Sequence, residues 1–453
     1  MNTQLNLTHH KQRITIYKTF RKSNKELSSI INQKLKAKCL MTVNKESEIL
    51  VEMKKALDDN DALGEERNKR IRKIKRLIVK AKESVVHKKL ADYCEHLVNT
   101  GIQWEIQSKD RGEKTIYYLN LKKGSLQFFA SQLILQNLKH AYGLNQPSRK
   151  QIVSQIISLL DDSLPKSFIR TDIVHFYESI PTSELIKKID DDGLLPISQV
   201  KAIKNALYLT TKDGIGVPRG LCFSAYLADL YLREFDRRVK EMPNVIYYAR
   251  YVDDIFLLVK EKSGAIDDEA ERIFTLMNEK IKDYKLELHN DTKKFKLGSC
   301  TGCDFSYLGY KFANGGSKKP LEVSISKEKI DKYLKKIDLA FWSYHKEGKL
   351  LSMSKRKKLL VNRIYFLCST VPLGKIKKSV SAGLPVNYSE ITSSSCLAEL
   401  DDRLHKQTNS VKIPDYVRKE LQGCSFTNGF ERKTIKHFTM AQLTEITRIW
   451  KKT

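Results

Sequence analysis

The sequence has no apolar run of the roughly 18 residues that a membrane-spanning helix needs. Its apolar runs, of which Ile255–Val259 is an example, have only the length of a strand. The chain does not begin with a basic segment followed by an apolar stretch, so no secretory signal is predicted. The eight cysteines are scattered, unlike those of a secreted disulfide framework. These absences predict a soluble, cytoplasmic protein that does not engage a membrane.

A complete set of zinc ligands is also missing. Cys300 and Cys303 have a CxxC spacing, but no second CxxC pair or histidine pair follows at zinc-finger distance. Reduced thiols in a hairpin turn are therefore favoured, and a metal site is the alternative.

Acidic residues are scarce relative to basic ones. The 453 residues include 82 Lys and Arg but only 53 Asp and Glu, a formal net charge of +29. A surplus of this size repels itself unless a polyanion neutralises it. Because 41% of the residues are hydrophobic, a packed core is expected rather than global disorder. Nucleic acid is the favoured partner, ahead of a membrane surface or an acidic protein.

The basic residues are densest between Arg67 and Lys82, where nine occur without a single acid. Ile71, Ile74 and Ile78 keep a helical spacing, so one face of a helix can pack while the rest stays basic. A solvated charged helix and a helix that binds the phosphates of a structured RNA are equally good interpretations. In the second, the contacts would come from Arg67, Lys69, Arg70, Arg72, Lys73 and Arg76.

Three aspartates stand out because apolar strands surround them. Asp172 ends the stretch that begins at Ser167, and Asp253 and Asp254 lie at the tip of a hairpin predicted over Val245–Val259. Carboxylates in such surroundings are costly unless a cation compensates them. Because Mg²⁺ favours carboxylate oxygens and leaves room for phosphates, a two-metal site for nucleotidyl transfer is predicted. For the adjacent pair, a surface turn that happens to hold two acids is the alternative.

The orientation of strand residues ranks these three aspartates. Successive residues of a strand face opposite ways, so Asp253 and Asp254 cannot both point at one metal. Asp172 and Asp253 are therefore the first candidates for metal ligands, and Asp254 ranks below them.

Five segments, in this order along the chain, resemble the palm motifs of reverse transcriptases. They are Asp172–Ile180, Gly216–Leu221 followed by Ser224, Tyr251–Asp254, Leu288–Lys293 and Tyr307–Tyr310. The resemblance implies that Asp172, Asp253 and Asp254 hold two Mg²⁺ ions, with Mn²⁺ as an alternative.

The resemblance also implies roles for other residues. Lys293 would lie near the triphosphate and protonate pyrophosphate, or else be a surface lysine. Tyr177 would be the aromatic gate that excludes the ribose 2′-hydroxyl, or else a core tyrosine. The expected nucleotide-binding residues are Tyr177, Phe176, Arg149, Arg170, Gly220 and Ser224, and the expected primer grip is Leu308, Gly309 and Tyr310.

Two features depart from the family's pattern. Arg219 stands where many relatives have glutamine, and no Arg-Pro-Ile strand precedes the palm, so Arg149 and Arg170 are the substitutes expected to contact the triphosphate. Together with the segments Phe176–Ile180 and Pro218–Leu221, these departures make the chain most similar to bacterial defence-associated reverse transcriptases of the unknown-group and abortive-infection class. The segment Asn362–Leu367 also resembles the type 3, two-polymerase systems of that class.

The expected fold is α+β, a right-hand polymerase with an antiparallel-sheet palm, small fingers, a helical thumb and helical N- and C-terminal extensions. Residues 1–115 would form the basic N-terminal extension, 116–325 the fingers and palm, 326–375 the thumb and 376–453 the C-terminal extension.

The predicted reaction adds deoxynucleotides to a growing DNA product on a structured noncoding RNA template, in bacterial anti-phage defence. A second polymerase subunit or a further copy of the chain is an expected partner. The alternatives are template-independent or protein-primed synthesis by the same site, and a non-catalytic RNA-binding scaffold or maturase.

Overall fold

The computed structural model describes residues 102–112, 114–119, 126–144, 147–162, 164–211, 214–261, 268–292, 294–314, 320–346, 351–373 and 380–452. The basic segment Arg67–Lys82 and the predicted triphosphate contact Lys293 lie outside these residues. The chain separates into two compact units. The first comprises residues 1–145, 175–234 and 283–286, and the second comprises 146–174, 235–282 and 287–453.

In chain order the described elements are β1 (Ile106–Arg111), β2 (Lys114–Leu119), α1 (Leu126–Tyr142), α2 (Arg149–Leu160), β3 (Lys166–Asp172), α3 (Phe176–Ser179), α4 (Thr182–Asp192), α5 (Ile197–Tyr208), α6 (Ser224–Lys240), β4 (Val245–Tyr251), β5 (Asp254–Lys260), α7 (Asp268–Lys282), β6 (Lys296–Ser299), β7 (Asp304–Tyr307), β8 (Tyr310–Ala313), β9 (Glu322–Ile325), α8 (Lys327–Lys346), α9 (Met353–Cys368), β10 (Val371–Pro372), β11 (Ser381–Ala382), α10 (Leu384–Asn387), α11 (Ser395–Ser410), α12 (Asp415–Gln422), α13 (Phe426–Glu431) and α14 (Met440–Thr447). A 3₁₀ turn over Arg448–Lys452 follows.

The first unit packs helices around an apolar core beside the β1–β2 hairpin. Phe223 precedes α6, Leu227 and Leu230 lie within it, and all three side chains are fully buried. Trp104 contacts the same core: its ring lies 6.2 Å from that of Phe223, and its indole N–H donates to the carbonyl of Ala202 at 2.8 Å.

The second unit contains a four-stranded antiparallel sheet in the order β4-β5-β3-β6. The strand and the hairpin predicted around the three aspartates are both confirmed, as β3 and as β4–β5. β5 and β3 are the two inner strands and are largely buried, which agrees with the continuous apolar run Ile255–Val259 in β5. The predicted α+β class with antiparallel sheets is therefore confirmed. Its division into palm, fingers and thumb stays a prediction, as do the four domain boundaries.

A second antiparallel sheet, β7-β8-β9, packs on the first through a stack of phenylalanines. The ring centroid of Phe305 lies 4.3 Å from that of Phe168 in β3, 5.4 Å from that of Phe256 in β5 and 5.0 Å from that of Phe312 in β8. All four rings are buried. This stack links the strands that carry the aspartates to the hairpin expected to be the primer grip.

Helices make up most of the remainder of this unit. Ile330, Ile337 and Phe341 form the buried face of α8, which packs against α9 and α11. Asp401 of α11 stabilises the start of the short helix α13. Its carboxylate accepts hydrogen bonds from the backbone N–H groups of Phe426 (2.6 Å) and Thr427 (3.1 Å). Of the described helices, none combines the length and apolar character needed to cross a bilayer.

Cys300 and Cys303 lie between β6 and β7, which belong to different sheets. The expectation of a hairpin turn is therefore wrong, because these two strands do not pair. Both thiols are free and buried, and burial raises the pKa of each above its usual value.

The phenylalanine stack predicts a large effect of truncation on stability. Phe305→Ala should lower the free energy of unfolding by about 3–5 kcal/mol, because it removes the ring shared by the two sheets and leaves a cavity. Phe305→Leu, which keeps most of the volume, should cost under about 1.5 kcal/mol. Urea unfolding measures both values, and equal costs would contradict the role of the ring.

Candidate active site

The end of β3 is held by backbone hydrogen bonds on both sides. The N–H of His289 donates to the carbonyl of Asp172 at 2.8 Å, and the N–H of Ile173 donates to the carbonyl of Asp253 at 3.1 Å. The hydroxyl of Thr171 donates to the carbonyl of His289 at 2.9 Å. These contacts join three of the segments that resemble palm motifs, and Asp172 is only 4% exposed.

Asp254 lies directly opposite Asp172, as its partner in the β3–β5 register. Val252 and Asp253 form the turn between β4 and β5, and Val252 has a φ of 64°. A β-branched residue in the left-handed region is strained, and such strain is often found at functional sites. Because the chain turns here, the alternation of side chains does not apply between Asp253 and Asp254. The reason for ranking Asp254 last therefore disappears.

Burial and the neighbouring carboxylates both disfavour a negative charge on Asp254. Burial, followed by the charges of Asp172 and Asp253, raises the pKa of Asp254 from 3.8 to about 6. The charges of Arg170 and Lys294 act in the opposite direction. Asp254 is therefore a carboxylate that needs a nearby cation to be ionised at low cost.

A lysine next to the predicted Lys293 supplies a cation to this cluster. It is Lys294. The Nζ of Lys294 donates to Oδ2 of Asp172. Burial lowers the pKa of Lys294, but the hydrogen bond and charge of Asp172 outweigh it, so the pKa is raised overall. Asp291 accepts from the Lys294 backbone N–H (3.0 Å to the carbonyl, 3.2 Å to Oδ1) and so shapes the turn. The sequence gives no signal that decides between two adjacent lysines.

The residues present fit a divalent cation. Oδ1 of Asp172 is buried and has no hydrogen-bond partner, although its other oxygen pairs with Lys294. An orphaned carboxylate oxygen next to two further aspartates is the type of donor that Mg²⁺ or Mn²⁺ prefers. As the side chains stand, no group of three or more His, Cys, Asp or Glu in the described part of the chain could hold a metal ion.

Arg250 stabilises the turn of Val252 and Asp253, and it is not among the site residues predicted from the sequence. Its guanidinium pairs with Asp236 of α6 through two hydrogen bonds (2.8 and 2.6 Å) and donates to the carbonyl of Val252 at 2.8 Å. The hydroxyl of Tyr248 also donates to Asp236, at 2.6 Å. The available signal was that Arg250 is the only basic residue in an otherwise apolar hairpin.

The two arginines expected to contact the triphosphate have different surroundings. Arg170 lies two residues before Asp172 on β3, its Nε is buried without a partner, and its charge acts on Asp254. The guanidinium of Arg149 lies over the rings of Tyr310 and Tyr388, 5.0 and 4.7 Å from their centroids, and donates to the carbonyl of Asn387 at 2.6 Å. Arg149 therefore braces the expected primer grip.

That grip is a tight hairpin turn. Leu308 and Gly309 both have positive φ, 48° and 78°, and they connect β7 to β8. The carbonyl of Gly309 accepts from the N–H of Ser326 at 3.0 Å. Tyr310 is buried, whereas Leu308 and Gly309 are partly exposed.

The remaining candidates belong to the first unit. Phe176 and Tyr177 form the short helix α3 and are 1% and 8% exposed. Gly220 has a φ of 103°, and a Cβ there would lie 2.3 Å from the carbonyl oxygen of Tyr117, so a side chain is excluded. Ser224 begins α6, and its buried hydroxyl has no hydrogen-bond partner.

Comparisons with known proteins agree with the chemistry of this site. Residues 130–312 match the family described as "Reverse transcriptase (RNA-dependent DNA polymerase)". This part of the chain is therefore a reverse transcriptase domain, and it contains all three aspartates. The match describes residues 130–312, which are less than half of the 453 residues. Enzymes of this family generally use divalent metal ions.

Similar solved structures include three telomerases, each with a TM-score of 0.36 and 11% identity. The match to apo telomerase from Candida tropicalis, truncated from the C-terminal domain, covers 51% of this chain and 58% of the telomerase chain. The match to telomerase from Candida albicans with the TWJ fragment of telomeric RNA covers 76% of this chain and 61% of the telomerase chain. For apo telomerase from Candida tropicalis the two shares are 77% and 65%. The chain thus spans less than two thirds of these chains, and a TM-score of this size supports no conclusion about it. No curated protein matches the sequence.

Repulsion within the cluster predicts that Asp254→Asn will stabilise the metal-free protein at neutral pH. Because the pKa of Asp254 is raised to about 6, the folded state holds the proton more tightly than the unfolded chain does. The stability this provides is present at acidic pH and is lost as the pH rises through about 6. In EDTA at pH 7, the variant should therefore melt about 2 °C or more above the wild type.

Adding Mg²⁺ or Mn²⁺ should raise the melting temperature of the wild type more than that of Asp254→Asn. Thermal melts at pH 5 and pH 7, with EDTA and with each metal, measure both effects. Asp304→Asn is the matched control, since Asp304 is an exposed carboxylate paired with Lys311 at 2.9 Å. Equal melting temperatures for Asp254→Asn and the wild type in EDTA at pH 7 would contradict the repulsion.

Proposed function

We propose that this protein extends DNA strands on an RNA template by metal-dependent nucleotidyl transfer. The observation that carries the proposal is the register of β3 and β5, which holds Asp172 opposite Asp254 with Asp253 in the adjoining turn. This carboxylate cluster lies within the residues that match the reverse transcriptase family. A surface turn with two acids would not be paired with a third, buried aspartate.

Asp172, Asp253 and Asp254 would hold the metal, with Mg²⁺ as the first candidate and Mn²⁺ as the alternative. When bound, divalent cations would neutralise the triphosphate and lower the pKa of the attacking 3′-hydroxyl. The protein's own contribution is placement: the sheet fixes the backbone of Asp172 and Asp254, and Arg250 holds the turn that carries Asp253. Such positioning supplies much of the catalysis in phosphoryl transfer.

Lys294 is the cation best placed to help with the leaving group. Its Nζ already pairs with Asp172, and its side chain is 47% exposed, so it can reach solvent and a bound phosphate. We assign to it the role that the family resemblance implied for Lys293, namely to bind the triphosphate and give a proton to pyrophosphate. Arg170 would add positive charge beside the same carboxylates.

On the substrate side, the turn of Leu308 and Gly309 would support the primer terminus, braced by Tyr310 and Arg149. Phe176, Tyr177, Gly220 and Ser224 would bind the incoming deoxynucleotide. In this assignment Tyr177 excludes ribonucleotides. The support is the match between these residues and the family's motifs, together with the absence of room for a side chain at Gly220.

The biological setting proposed is bacterial anti-phage defence, with a structured noncoding RNA as template and a second polymerase or another copy of the chain as partner. This part rests on the resemblance of Phe176–Ile180 and Pro218–Leu221 to defence-associated enzymes. The net charge of +29 supports a nucleic-acid partner of some kind.

The metal-site assignment predicts that Asp172→Asn and Asp253→Asn each reduce DNA synthesis at least about 100-fold, because a lost ligand removes stabilisation of charge in the transition state. Primer extension on defined RNA and DNA templates, with Mg²⁺ or Mn²⁺, measures this. Both variants should remain folded, as circular dichroism would show. Asp402→Asn changes an exposed aspartate of α11 in the same way and should retain full activity. Either site variant retaining activity within about tenfold of wild type, a loss of only about 1.4 kcal/mol, would reject that residue as a ligand.

Assigning Tyr177 as the sugar gate predicts that Tyr177→Ala admits ribonucleotides. The ratio of kcat/KM for dNTP to that for rNTP should fall at least about tenfold, because exclusion depends on the volume of the ring. Tyr177→Phe is the matched control: it keeps the ring and should keep the choice of sugar. Single-nucleotide extension with each substrate provides the ratios. An unchanged ratio in the alanine variant would assign Tyr177 to the core instead.

A further inference from the structure

The side chain of Arg219 makes two well-defined contacts with consecutive residues of α3. Its guanidinium carbon lies 4.6 Å from the ring centroid of Tyr177, over the face of the ring. Its Nε and Nη2 donate to the two carboxylate oxygens of Glu178, at 2.6 and 3.0 Å. One planar group is thus stacked on the tyrosine and held by the residue that follows it.

The backbone of the same loop is also joined to α3. The N–H of Val217 donates to the carbonyl of Tyr177 at 2.7 Å, and the N–H of Gly216 donates to the carbonyl of Ile180 at 2.8 Å. On its other side, the carbonyl of Arg219 accepts from the N–H of Tyr117 in β2 at 2.7 Å. These bonds fix the backbone of Arg219 relative to that of Tyr177.

Charge compensation keeps the arginine in this place. Burial raises the pKa of Glu178, but the hydrogen bonds and charge of Arg219, with the charge of Lys114, outweigh it and hold the pKa below its usual value. Glu178 is therefore ionised at neutral pH and remains a partner for the guanidinium. The side chain of Arg219 is only 21% exposed. The ion pair and the ring contact together hold the Arg219 side chain beside Tyr177.

Arginine is the residue type that this arrangement needs. A guanidinium is planar, stacks on aromatic rings and binds a carboxylate through two parallel N–H groups. A lysine ammonium is a point charge that cannot cover a ring and form a two-point pair together, and glutamine lacks the charge. The glutamine common at this position in similar enzymes could not form the same contact with Glu178.

We propose that Arg219, held by Glu178, is a positioning residue that fixes the ring of Tyr177 and so sets how strictly the enzyme prefers deoxynucleotides to ribonucleotides. This inference rests on the proposed function and on the assignment of Tyr177 as the sugar gate. Arg219 acts through the tyrosine and need not touch the nucleotide. A gate excludes a hydroxyl only if the ring cannot move aside, and the stacked guanidinium opposes that movement.

The test compares nucleotide choice in variants of the full chain. Arg219→Gln should lower the dNTP/rNTP ratio of kcat/KM about tenfold, while kcat for dNTP stays within about threefold of wild type. Arg219→Lys should behave like Arg219→Gln, because charge alone does not hold the ring. Arg237→Gln is the matched control: it breaks an exposed pair with Glu241 (2.8 Å) and should leave the ratio unchanged.

A double-mutant cycle separates positioning from general stability. Tyr177→Ala and the double variant Tyr177→Ala/Arg219→Gln should show the same ratio, since Arg219 has no effect once the ring is gone. The charge swap Arg219→Glu/Glu178→Arg should regain thermal stability lost in Arg219→Gln. It should not regain the nucleotide choice, because the guanidinium no longer extends from residue 219.

The inference is overturned if Arg219→Gln or Arg219→Lys retains the wild-type ratio while Tyr177→Ala loses it. It is also overturned if the effects of Tyr177→Ala and Arg219→Gln multiply in the double variant. Both results would leave the proposed function intact. If the wild type makes no DNA on any template, the proposed function fails and this inference fails with it.

Discussion

The closeness of a buried carboxylate, Asp172, to the half-buried Asp254 at one end of the β3–β5 pair is the constraint on which the rest of the site depends. Asp172 and Asp254 are placed opposite each other by the sheet, so they cannot move apart without breaking the register. The charges of Lys294 and Arg170 oppose the repulsion, but burial and the charges of Asp172 and Asp253 together still raise the pKa of Asp254. A divalent cation would remove the repulsion, and the same property that makes the site costly makes it able to bind metal and phosphate.

Holding such a site requires a rigid support, and the support comes from residues with no chemistry of their own. The rings of Phe168, Phe256 and Phe305 fill the space beneath the strands. Arg250, anchored on Asp236, holds the strained turn at Val252. Unfavourable backbone geometry persists only where the surroundings impose it. The strain and the repulsion are therefore both balanced by packing in the second unit.

In the first unit, the corresponding constraint is on the orientation of the Tyr177 ring. Glu178 and Arg219 lie about 40 residues apart in sequence, yet they form a two-point pair beside Tyr177. The hydrogen bonds and charge of Arg219 hold the pKa of Glu178 below its usual value, and the ionised carboxylate in turn holds the guanidinium beside the ring.

Much of this organisation follows from the sequence. Alternation and apolar runs predict β3 and the β4–β5 hairpin, and five ordered motifs predict the reverse transcriptase domain, because local side-chain pattern determines strand and turn. Other features needed the tertiary structure. The pairing of Asp254 with Asp172 depends on the register between distant strands and on a turn that cancels simple alternation. The choice of Lys294 at Asp172, the anchor of Arg250 on Asp236 and the stacking of Arg219 on Tyr177 are contacts between segments far apart in the chain. No local pattern records such contacts, because they are set by how the packed core brings those segments together.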